Sequence, residues 1–123
     1  MRNKRILVIL LFTSLLTSAN GKPQVLKTVN MPDDVKAIIE KSCFGCHNTD
    51  SKNDKAKEKL DFKTLDNLAV TKMIHALDKI EQNLKEDEMP PEKFLEKFPD
   101  KKLTDSEKKI LMDWANNEIK ALR

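Results

Sequence analysis

From residue 32 onward the apolar positions of this chain recur at helical spacing, and no stretch shows the period of two that marks a half-buried strand. Val35, Ile38 and Ile39 share one face, which continues through Cys43. Pro32 suits a first helical position, and Asp33 and Asp34 stand where the helix dipole favours negative charge. A first helix is therefore predicted to begin near Pro32. Residues 48–59 carry no apolar period and are expected to form a polar, charged loop. Leu65, Leu68, Ala69, Met73, Ala76, Leu77, Ile80 and Leu84 predict a long second helix. It stops before Pro90-Pro91, because proline lacks an N–H and restrains the residue before it. Phe94, Leu95 and Phe98 suggest a short helix ending at Pro99. The last helix opens on Thr104 with Glu107 three residues later, a capping-box pattern, and shows Ile110, Leu111, Trp114, Ala115 and Leu122 on one face. The chain contains no internal repeat. The pattern predicts an all-α domain of about four helices.

The first residues read differently. Arg2, Lys4 and Arg5 precede an apolar run from Ile6 to Leu16, and Thr17-Ser18-Ala19 follows. A positive start, a short apolar centre and a small-residue end have the form of a cleaved secretory signal over residues 1–19. The run is about half the ~20 residues that span a bilayer, so no stable membrane span is expected after cleavage. Residues 20–30 read as an exposed leader, and residues 31–123 as one domain. The protein is expected to be periplasmic or otherwise exported.

Charge then changes meaning. The whole chain carries a formal +3, but three of its 23 Lys and Arg lie in residues 1–19, which leaves 20 basic against 20 acidic residues. The rest of the chain offers no clustered basic face of the kind nucleic-acid binding requires. Charged residues make up 35% of the chain and alternate in sign, which suits solvated helical surfaces. A core of this size is modest, and a bound group would extend it.

Cys43-Phe44-Gly45-Cys46-His47 is the C-x-x-C-H signature of covalent haem attachment. Residues three apart on a helical turn lie on one side, ~5–6 Å between Cβ atoms, so both sulfurs reach the two vinyl groups along one haem edge. His47, four residues from Cys43, lies on the same side and can turn an imidazole nitrogen to the iron. Gly45 lets the backbone approach the ring. Three other readings compete. A disulfide leaves His47 unexplained; a C-x-x-C redox enzyme wants a βαβ setting; a zinc module built on Cys43, Cys46, His47 and His75 lacks a second closely spaced ligand pair.

For the sixth position on the iron the candidates are Met31, Met73, Met89, Met112 and His75. Met89 is best placed, because it follows Glu86-Asp87-Glu88 and precedes two prolines that limit backbone freedom. Met73 and Met112 fall on helical faces and read as core, and His75 as an exposed helix residue. Phe44, Phe94, Phe98 and Trp114 are expected to pack around the haem.

These residues resemble a known family. The Cys43–His47 motif, Glu88-Met89-Pro90-Pro91, and Leu103-Thr104-Asp105-Ser106-Glu107-Lys108-Lys109 leading to Asp113-Trp114-Ala115 are similar to the bacterial haem-binding domain of the cytochrome c superfamily, from about Met31 to the C-terminus. The resemblance implies a cytochrome c-like all-α fold around one covalently bound haem c, with the first and last helices crossing beside it. It also implies thioether bonds at Cys43 and Cys46, His47 as proximal iron ligand and Met89 as distal ligand. The expected activity is one-electron transfer between redox partner proteins by a monomer. The alternative is a haem enzyme or small-molecule sensor with an open or labile sixth iron position.

Overall fold

The computed structural model describes residues 26–123, so the signal expected over residues 1–19 and the first part of the leader lie outside the described residues. The elements run α1 (Asp33–Ser42), α2 (Asp54–Lys59), a single 3-10 turn (Leu65–Asn67), α3 (Val70–Lys85), α4 (Glu92–Lys97), a second 3-10 turn (Pro99–Lys101) and α5 (Asp105–Leu122). Among the described residues there is no strand, and no helix is long and apolar enough to cross a membrane.

The core forms where three amphipathic stripes meet. Val35, Ile38 and Ile39 come from α1; Met73, Leu77 and Leu84 from α3; Leu111, Trp114, Ala115, Ile119 and Leu122 from α5. α5 packs along α3 and also against α1. Its first turn is closed by a capping box: the Glu107 N–H donates to Thr104 Oγ1 at 3.1 Å and the Thr104 N–H to Glu107 Oε2 at 2.9 Å. Glu107 also pairs with Lys41 at 2.6 Å, joining the start of α5 to the end of α1.

Two segments depart from the sequence reading, and a third is more firmly tied down than the reading implied. Residues 48–59 are ordered rather than loose. The Asp50 N–H donates to Asn48 Oδ1 and the Asn53 N–H to Ser51 Oγ, and Asn53 then caps α2 by accepting from the Ala56 N–H at 3.1 Å. Such local side-chain bonds replace an apolar face as the ordering force. The predicted long second helix is split: Leu65 is buried in a separate 3-10 turn, and α3 begins only at Val70. In the described part of the expected exposed leader, Leu26, Lys27, Thr28 and Asn30 are exposed, but the segment is fastened to the fold. Val29 is buried, its N–H donates to Asp66 Oδ1 at 2.8 Å, Asn30 O accepts from Trp114 Nε1 at 2.7 Å, and Lys27 Nζ donates to Leu122 O at 2.7 Å.

Candidate haem site

A cavity of about 1010 Å³ opens between α1, α2, α3, the segment after α3, and α5. That is at the upper end of ordinary small-molecule sites. The sequence-predicted residues converge on it. Cys43, Cys46 and His47, from the turn that ends α1, line one part of the wall, and Met89 lines another. Phe94, Leu111 and Trp114 supply apolar surface between.

The turn is built locally. α1 stops at Ser42, and the Cys43 and Phe44 N–H groups both donate to Ile39 O at 2.8 Å. The Cys46 and His47 N–H groups then fold back onto Cys43 O, each at 3.1 Å, which sets both sulfurs and the imidazole on one tight loop. Gly45 lines the cavity, and a Cβ placed there would meet nothing within 4 Å, so a flat ligand can lie against this backbone.

His47 is oriented by backbone groups that have no sequence signature. Its Nδ1 lies 3.0 Å from Ala56 O and 3.1 Å from Leu60 O, the carbonyls of α2 and of the residue that ends it. Two acceptors require that Nδ1 carry the hydrogen, which leaves the Nε2 lone pair to ligate. Metal-ligating histidines are commonly held in this way. The Phe62 N–H donates to His47 O at 3.1 Å, and Phe62 lines the cavity edge-on to the imidazole at 6.4 Å between ring centroids.

The two thiols are free, with no disulfide between them. Burial, reinforced by the Cys46 thiol and opposed by Lys41, pushes the Cys43 thiol up to about 12. A redox C-x-x-C pair needs the opposite shift, so this pair is poorly suited to thiol–disulfide exchange. No group of three or more His, Cys, Asp or Glu able to hold a bare metal ion occurs among the described residues, which removes the support for a zinc module. A haem iron differs, because the macrocycle supplies four ligands and the protein needs to supply one or two.

The remaining candidates sort by position. Met89 is half-buried on the cavity wall beside buried Pro90. Met73 is buried in the core, and Met112 and Met31 pack against it. His75 is exposed on α3 but also lines the cavity. Two expected aromatic neighbours do not line it. Phe44 packs against the core with Lys63 Nζ 6.0 Å from its ring, and Phe98 is 47% exposed, its ring tilted against that of Phe94 at 5.0 Å between centroids. Phe62 takes their place, and the sequence reading missed it because it lies in a segment without helical spacing.

No curated protein and no solved structure matches the chain. One family model does, the haem-binding domain, over residues 51–117. The match begins just past the Cys43–His47 motif and takes in α2, α3, the Met89 segment and most of α5. A cavity of this size and lining, closed by the segment the family model recognises, identifies the chain as a member of the haem-binding domain family.

Proposed function

We propose that this protein is an exported mono-haem c-type cytochrome that carries single electrons between redox partner proteins. The observation that supports this reading is the convergence of Cys43, Cys46, His47 and Met89 on one cavity, with the His47 ring already turned by two backbone carbonyls so that Nε2 is free to ligate. Cys43 and Cys46 would hold the haem through thioethers, His47 would be the proximal ligand and Met89 the distal one. Bound there, haem supplies a one-electron iron couple, and a His/Met ligand pair raises its potential. The chain's own part is to fix the ligands and exclude water: Leu111, Trp114 and Phe94, which line the cavity, would cover the apolar faces, and Pro90-Pro91 stiffen the Met89 segment. Export rests on the pattern of residues 1–19. The near-balance of charge beyond residue 19 gives little long-range steering, so partner choice falls to local surface. A pyridine haemochrome assay with an absorption spectrum tests the proposal. One covalent haem with a low-spin iron and the weak long-wavelength band of sulfur ligation is expected. A haem extracted by acid acetone would overturn covalent attachment, and a high-spin iron that binds carbon monoxide rapidly would favour the enzyme or sensor alternative.

A further inference from the structure

The turn that carries Met89 is fastened to α5 as well as to α3. At the end of α3 the Glu88 N–H donates to Asn83 O at 2.9 Å and the Asp87 N–H to Leu84 O at 3.4 Å, the two bonds of a Schellman motif. The position such a motif places in the left-handed region is usually glycine. Here it is Asp87, at φ 54°. Aspartate and asparagine tolerate this region better than other side chains, but glycine would do so without any strain. What glycine would lack is the carboxylate, and the carboxylate has a partner: Asp87 pairs with Lys108 Nζ in the first turn of α5. Further along, the same helix supplies Leu111 and Trp114 to the cavity wall. The pair thus ties a residue two before Met89 to the helix that forms part of Met89's own cavity.

We propose that Asp87 and Lys108 are positioning residues, a clasp that holds the Met89 turn in place and sets how readily Met89 is displaced from the iron. The inference rests on Met89 being the sulfur ligand proposed above. A thioether is a weak ligand, so its occupancy depends on how far the turn is pre-organised. An exposed ion pair of this kind shifts an equilibrium about 1.5- to 5-fold, and salt screens it.

The test uses the haem-loaded full chain and imidazole as the competing ligand, followed by loss of the sulfur-to-iron absorption band. Asp87→Asn keeps a residue suited to the left-handed backbone and removes the charge; Lys108→Gln removes the partner. Lys109→Gln is the control, because that neighbouring lysine pairs with Asp113 inside α5. Imidazole should bind about 1.5- to 5-fold more tightly to Asp87→Asn and to Lys108→Gln, and no more tightly to the double variant. High salt should move the wild type toward the variants, and Lys109→Gln should titrate as wild type. Variants at Asp87 and Lys108 that titrate as wild type, or a Lys109→Gln that shifts equally, overturn the clasp alone. A wild type without the sulfur band overturns the ligand assignment first, and the clasp with it.

Discussion

His47 gives one ring nitrogen to two backbone carbonyls, and that leaves the other suited to ligation. Met89 has no comparable tether of its own; its neighbours Pro90 and Asp87 hold it. With Met89 as the proposed distal ligand, Met89→Ala is expected to leave the haem in place while opening the sixth position. Its reduction potential should fall by on the order of 0.1 V, a fraction of the ~0.8 V that axial ligands command. It should also bind carbon monoxide, and redox titration with a gas-binding spectrum checks both. Cys43, Cys46, His47 and Met89, which line one cavity, could be singled out in the sequence because each is marked locally, by fixed spacing or by the two prolines. The carbonyls of Ala56 and Leu60 were not, since every residue has one and only the fold decides which two meet an imidazole.

At the scale of elements, α2 shows why a helix can be missed. It has six residues and buries none of them, so it offers no periodic face to read. Its signature is the cap: Asn53 before Asp54, with Lys57 and Lys59 at the other end. Because α2 and its end present both carbonyls to His47, Asn53→Ala should cost about 0.5–2 kcal/mol of stability and loosen the imidazole; thermal melts and the haem spectrum of the loaded protein report the two effects. The start of α5 was legible as a capping box and is one. The structure adds that Glu107 serves α1 too. Its carboxyl is held below the ordinary 4.5, first by the Lys41 ammonium and then by the Thr104 N–H, against the push of burial. A lowered folded value contributes stability that is present above 4.5 and is lost as pH falls through the lower folded value. Glu107→Gln can keep the capping box and removes the charge. It should melt about 0.5–1 kcal/mol less stably at neutral pH, and its stability should fall less steeply than the wild type's below pH 4.5, as melts across the acid range will show.

For the whole molecule, the cavity is large beside a core drawn from three helical stripes. Burying ~300 Å² of apolar haem face would contribute about 7 kcal/mol at ~25 cal/mol per Å² as an upper figure, comparable to the ~5–15 kcal/mol net stability of an ordinary domain. The double variant Cys43→Ser, Cys46→Ser, prepared without haem, should accordingly lose its near-UV signal and cooperative melt; retention of both would show that the three-stripe core suffices alone. The all-helical class and the core face of each long helix were legible because apolar spacing records them. The folding of residues 27–30 onto α5 was not, because a few residues meet partners 84 to 95 positions away.

That long-range closure also sets an order of assembly. A chain emerges from its N-terminus first, so Cys43, Cys46 and His47 appear well before Leu111 and Trp114, which complete their enclosure. Until Trp114 meets Asn30 and Leu122 meets Lys27, the motif stands on an open chain, where the Cys43 thiol lacks the burial that pushes it up to about 12. A chain whose last helix has not yet docked is thus the form in which the Cys43 sulfur is most accessible, and docking of that helix encloses it.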